Sequence, residues 1–195
     1  MEALHYRVTV VQAGAGYGKS TAVMSLIGRH EPLIWYQVSR EDADPFVFFQ
    51  HLLYATRVAL PGLGNLPIAF LESWDGSRGP LPVREVLYRY LNELNESLDQ
   101  PVLMVLEDIH LAAMVPDVVQ TLDELISLAP HQLHILLTTR LPLNLPGMSR
   151  WMARGQVLQI DQKNLSFTEV PLDNLDQRVV DHLAQRGGIA ELLDL

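Results

Sequence analysis

Apolar positions along the chain fall into two alternating patterns. Short, nearly continuous runs of β-branched and aliphatic residues read as strands at 7–11, 33–38, 102–106, 134–138 and 157–160. Between them apolar residues recur at helical spacing. Val83, Val86, Leu87, Tyr90, Leu91 and Leu94 form one face of a helix over 82–98. Val118, Val119, Leu122, Leu125, Ile126 and Leu128 do the same over 116–129. Asp44 followed by Pro45 is an N-cap and first-turn pair opening a helix over 46–58. Leu175, Val179 and Leu183 predict a helix over 175–186, capped by Gly187-Gly188. Residues 61–82, rich in Gly and Pro with Trp74-Asp75-Gly76 as a turn, read as a long surface loop. Residues 141–147 mark a break after the fourth strand. Phe46, Phe48, Phe49, Tyr88 and Tyr90 lie at helical spacing and are expected in the core rather than in a base-stacking platform. Strands alternating with helices define an α/β fold: a mainly parallel sheet of about five strands with helices on both faces.

The first strand runs into Ala13-Gly14-Ala15-Gly16-Tyr17-Gly18-Lys19-Ser20-Thr21, and a helical pattern with Val23, Leu26 and Ile27 follows. Strand, glycine-rich loop ending in Gly-Lys-Ser, and helix make a phosphate-binding loop, the Walker A motif of a P-loop NTPase. Glycines let the backbone turn tightly enough for successive N–H groups to surround a phosphate. The new helix adds its unpaired N–H groups and positive dipole end. In such a loop Lys19 reaches the β- and γ-phosphates of a nucleotide and the Ser20 hydroxyl ligates Mg²⁺. The first glycine of the motif is replaced by Ala13, which fits if its φ is negative. Only Lys19 and Lys163 are lysines among 14 Lys+Arg residues, so a compact ammonium stands where a phosphate contact needs one.

Residues 102–106 end in Glu107-Asp108. A phosphate loop with Mg²⁺ needs one acid at a neighbouring strand end for the metal and can use a second to orient an attacking water. On a strand the two carboxylates point to opposite sides, and which of them faces the metal is open. Motif position gives Glu107 the metal slot and Asp108 the water-activating slot. Ile135-Leu136-Leu137-Thr138-Thr139-Arg140 is a strand ending in a hydroxyl pair and an arginine. In a parallel sheet that end faces the ligand crevice, where Arg140 can read or stabilise a γ-phosphate. His110 has no companion at metal-ligand spacing, and a local hydrogen-bonding role near the nucleotide is expected.

At 195 residues and 48% hydrophobic content, one domain with a substantial core is expected, over 1–169, with a short C-terminal segment over 170–195. Zero cysteines rule out disulfides and thiolate metal sites. A net charge of −9 with no Lys/Arg cluster argues against direct nucleic-acid binding. No apolar run reaches the roughly 18–20 residues of a membrane span. The start of the chain has no signal-peptide pattern, so a cytoplasmic location is expected.

In order, the loop 13–21, Ile34-Trp35-Tyr36-Gln37-Val38, Asp44-Pro45-Phe46, Leu106-Glu107-Asp108-Ile109-His110-Leu111 and Leu137-Thr138-Thr139-Arg140 resemble one family. It is the nucleotide-binding domain of the large ATP-binding LuxR-type regulators, typified by the maltose-regulon activator, among the signal-transduction ATPases with numerous domains (STAND), an AAA-type ATPase group. Met152-Ala153-Arg154-Gly155-Gln156-Val157-Leu158 and Leu165-Ser166-Phe167-Thr168-Glu169 continue the similarity, which runs from Arg7 to Glu169. The resemblance implies that Gly14 to Thr21 bind ATP phosphates, Ser20 and Glu107 serve Mg²⁺, Asp108 supports hydrolysis and Arg140 is a sensor. Glu107 stands where aspartate is commoner, and the family's helical arms, sensor repeats and helix-turn-helix have no counterpart in this sequence. The expected function is an ATP-binding regulatory switch with slow hydrolysis, working through a protein partner or self-assembly. The alternatives are a nucleotide-dependent interaction module without turnover and a small-molecule phosphotransferase with 61–82 as its lid.

Overall fold

The computed structural model describes residues 2–28, 32–77 and 79–165. Its strands are β1 (Val8–Gln12), β2 (Leu33–Gln37), β3 (Val102–Glu107), β4 (Leu133–Thr139) and β5 (Val157–Ile160). The helices are α1 (Lys19–Ile27), α2 (Pro45–Ala59), α3 (Asn65–Glu72), α4 (Val83–Ser97), α5 (Pro116–Leu128), α6 (Met148–Ala153) and α7 (Gln162–Leu165). The sheet order is β2-β3-β4-β1-β5. Every neighbouring pair is parallel. The expected α/β architecture with five parallel strands is therefore observed. Because β4 lies between β1 and β3, the ends of those three strands form one continuous rim.

Strand alternation divides the core unequally. Val8, Val10, Ile34, Tyr36, Met104, Leu106, Ile135 and Leu137 face the large cluster built with α2, α4 and α5. Val11, Leu103, Val105 and Leu136 face the smaller cluster completed by Val23 and Ile27 of α1, with Leu165 of α7 at its margin. The thick side is held by ordinary helix chemistry. Asp44 caps α2 by accepting from the Phe46 N–H at 2.8 Å, with Pro45 in the first turn. Val86, Leu87, Tyr90, Leu91 and Leu94 bury one face of α4. The Tyr90 and Thr56 hydroxyls, both buried, meet at 2.7 Å, so neither is left without a partner.

Two expectations need correction. Residues 61–82 are not one loop, because they contain α3. Gly64, at φ 81°, starts that helix in the left-handed conformation, and its N–H donates to the Glu93 carboxylate at 3.0 Å. Pro67 falls in the first turn, where a missing N–H costs no intrahelical bond, and Ile68 and Leu71 supply the buried face. Secondly, Phe48, Phe49 and Tyr90 are core residues as expected and Phe46 packs against that core, but Tyr88 is 43% exposed on the outer face of α4. Leu128, at the end of α5, is likewise exposed. The break expected at 141–147 is observed, and the short α6, which no apolar pattern announced, follows it, anchored by buried Trp151. A Cβ on Gly147 would come within 2.5 Å of the Trp151 ring, so glycine is needed there for space. The helix expected over 175–186 and the segment 170–195 lie outside the described residues.

Candidate functional site

The phosphate loop leaves β1 at the rim. The Ala13 N–H donates to the Thr139 carbonyl at 3.1 Å, tying the loop's first residue to the end of β4. Asp108 is the one non-glycine residue with positive φ among those described, so Ala13 does not need the freedom of the glycine it replaces. Gly16 and Gly18 do, at φ 79° and 74°. A Cβ at either would meet nothing within 4 Å, so conformation rather than space requires glycine at both. Gly14 is limited differently, since a Cβ there would stand 3.3 Å from the Tyr17 ring.

Gly18 is the N-cap of α1, with no side-chain cap and no acid in the first turn. The first-turn N–H groups and the positive helix end thus stay open to an anion. Lys19 Nζ donates to the Ala13 and Gly14 carbonyls, both at 2.8 Å, so the loop curls around its own ammonium. Ser20 is exposed on the first turn and Thr21 is half-buried beside it. Left-handed glycines, an uncapped helix start and a lysine at the mouth fit a nucleotide's phosphates.

The two acids are separated by backbone shape and not by strand alternation. Glu107 is the last residue of β3 and follows Leu103 and Val105 on the α1 face. Its carbonyl accepts from the Val38 N–H at 2.9 Å. Asp108 has left the strand: at φ 56° and ψ 37° it is left-handed and opens the 3₁₀ turn Ile109–Leu111. The expectation that the pair alternates as on a strand therefore fails at Asp108. Its carboxylate lies 3.6 Å from Arg140 Nε and 3.8 Å from His110 Nδ1.

Electrostatics tie these groups to the loop. Burial pushes the Lys19 ammonium below its ordinary range, Asp108 and Glu107 oppose that shift, and Arg140 reinforces it. Burial likewise lowers His110, against the pull of Asp108 and with help from Arg140 and Lys19. The Arg140 backbone N–H points at His110 Nδ1 at 3.5 Å, a weak contact that needs the nitrogen unprotonated. His110 thus has the local hydrogen-bonding place expected of it. Among the described residues no group of three or more His, Asp or Glu side chains could hold a metal ion.

Two participants stood out less in the sequence. The Thr138 hydroxyl accepts from the Asp108 N–H at 2.8 Å. Gln162, at the start of α7, approaches the Gly14 N–H at 3.5 Å. Thr138 was legible as a strand-end hydroxyl, but its partner lies 30 positions away. Gln162 carried no local signal.

A parallel α/β sheet with a glycine-rich loop between β1 and α1 and an acidic end on β3 defines a phosphate-loop domain. In sequence the chain is similar to the HTH-type transcriptional regulator MalT of Serratia proteamaculans, with 27% identity over 167 residues, covering 84% of this chain and 17% of that protein. MalT of Cronobacter sakazakii is 26% identical over 168 residues, covering 85% and 18%. The resemblance to large ATP-binding LuxR-type regulators thus extends over most of the chain, which itself spans less than a fifth of those relatives' length. No protein-family model matches. Among solved structures, a chain in Drosophila ORC bound to AT-rich DNA and Cdc6 gives a TM-score of 0.49 at 8% identity, covering 90% of this chain and 54% of that one. C. elegans PCH-2 gives 0.35 at 14%, covering 80% and 35%. At such scores strand order and loop position, not the neighbours, define the fold. No described helix is long and apolar enough to cross a membrane.

Proposed function

We propose that this chain is an ATP-binding regulatory switch domain with slow hydrolysis. The observation that carries the reading is the placing of Lys19, at the open start of α1, within electrostatic reach of Glu107 and Asp108 at the end of β3 and of Arg140 after β4, with Asp108 and Arg140 3.6 Å apart. Gly14 to Thr21 would cradle the phosphates with backbone N–H groups, and Lys19 would exchange its two loop carbonyls for phosphate oxygens. Ser20 and Glu107 would hold Mg²⁺, which supplies neutralisation of charge on the β- and γ-phosphates. Asp108 would orient a water, and Arg140 would distinguish tri- from diphosphate by its contact with the terminal group. A switch requires differential affinity between its states, and an arginine reading the γ-phosphate is a source of it.

The MalT relatives are HTH-type transcriptional regulators. A regulatory role in this chain, expressed through a protein partner or self-assembly in the cytoplasm, is part of the proposal. With a net charge of −9, direct nucleic-acid contact by this chain is not. A second reading, a nucleotide-dependent interaction module without turnover, is favoured by the contact of Asp108 with Arg140, which engages the carboxylate that would otherwise orient water. Single-turnover phosphate release separates the two. The switch predicts release that is abolished in Asp108→Asn while Mg-ATP binding persists. Binding with no release from wild type supports the module, and absence of any Mg-ATP binding defeats both.

A further inference from the structure

The peptide at Asp108 is the one described place where a residue with a side chain is held left-handed. Such a conformation is unfavourable for an L-residue, although aspartate tolerates it better than most. It persists where surrounding contacts over-determine it, and it is common at functional sites. Here the contacts are identifiable. On one side of β3 the Glu107 carbonyl is taken by the Val38 N–H. On the other side the β3–β4 ladder runs to the pair Leu106 and Leu137. Two residues beyond Leu106, the Asp108 N–H meets the Thr138 hydroxyl at 2.8 Å, so a side chain takes the place of a ladder carbonyl. Thr138 is 1% exposed, so no water competes freely for that contact. Beyond Asp108, the Leu111 N–H closes the turn on the Asp108 carbonyl at 3.0 Å.

Thr139 is not equivalent. Its hydroxyl donates to the Leu141 carbonyl at 2.6 Å and accepts from the Leu141 N–H at 3.1 Å, closing on its own chain at the turn that carries Arg140. The hydroxyl pair is thus divided: one member supports Asp108, the other the turn at Arg140.

We propose that Thr138 is a positioning residue: its hydroxyl holds Asp108 in the left-handed turn that aims the carboxylate between Arg140, His110 and the phosphate loop. The proposal rests on the hydrolytic reading of the site and names a residue that reading does not use. Thr138→Val preserves shape but strands the Asp108 N–H, whereas Thr138→Ser keeps an acceptor.

The test has two arms on the purified chain. In nucleotide-free protein, the Asp108 amide of Thr138→Val should lose about tenfold or more of its hydrogen-exchange protection, with the serine variant close to wild type. With Mg-ATP, Thr138→Val should keep its Kd within about threefold of wild type while single-turnover hydrolysis slows by about tenfold or more, and Thr138→Ser should restore the rate. Unchanged exchange at Asp108, a wild-type rate in the valine variant, or failure of serine to restore it overturns the proposal. So does a parallel loss of ATP affinity, which would make Thr138 merely structural, and so does a wild type that binds without turnover. A wild type that binds no nucleotide sinks the nucleotide reading and the positioning role built on it. The exchange arm then still tells whether the Thr138 contact itself exists.

Discussion

Two turns at the same rim of the sheet use left-handed backbone, and they do it with opposite residue choices. After β1 the chain turns through Gly16 and Gly18, where the conformation is nearly free of strain. After β3 it turns through Asp108, where the same region of φ and ψ is costly. The proposed nucleotide binding needs the first turn for its backbone, whose N–H groups would surround the phosphates. The proposed hydrolysis needs the second for its side chain, so glycine would defeat it and neighbouring contacts must hold the shape. On the proposed function, the difference separates a binding element, which relies on permissive backbone, from a reacting element, which tolerates strain to aim one carboxylate.

That contrast can be attacked from both sides. The largest effect belongs to Asp108→Asn, which retains a left-handed-tolerant side chain but no carboxylate. ATP hydrolysis measured by phosphate release should fall by about 10²–10⁴-fold, with thermal stability nearly unchanged. At the other turn Gly18→Ala forces a Cβ onto φ 74°, and the strain of about 1–2 kcal/mol should appear as roughly tenfold weaker ATP binding in calorimetry. Ala13→Gly is its control: because Ala13 is not left-handed, restoring the usual glycine should bring no gain in affinity. Smaller still is the stability contrast at Asp108. In urea titrations Asp108→Gly should be at least as stable as wild type although inactive, and Asp108→Ala less stable by about 1 kcal/mol.

The smallest effect is a pH dependence beside the same turn. His110 has a folded pKa below its ordinary 6.5, chiefly through burial, so the fold favours neutral imidazole. The associated stabilisation is complete above about pH 6.5 and is lost as the pH falls through the lower folded value. Urea midpoints compared between about pH 8 and pH 5 should drop more in wild type than in His110→Asn. An equal drop in both would remove His110 from the acid response.

Much of this could be read from the residues. All five strands lie within a residue of their expected ends because strands buried on both faces leave continuous apolar runs such as Val102 to Leu106. The glycine-rich loop was legible because its pattern is local: strand, glycines and helix start are adjacent in the chain. α3 was hidden because Pro67 and Gly64 look like breakers until their positions relative to the helix start are known. α6 is only six residues long, and its anchor, Trp151, packs on a glycine rather than along a repeating face. The left-handed turn at Asp108 was not legible either. It depends on a hydroxyl in another strand, and strand alternation, the rule that applies up to Glu107, ends one residue too soon.

Whether the rim binds ATP through the phosphate loop is decided by a calorimetric titration of the purified chain with Mg-ATP, run on wild type and Lys19→Ala. Saturable one-site binding is expected in wild type, with an affinity lower by about a hundredfold or more in the variant. No binding by wild type, or equal affinity in both proteins, would contradict binding through the loop.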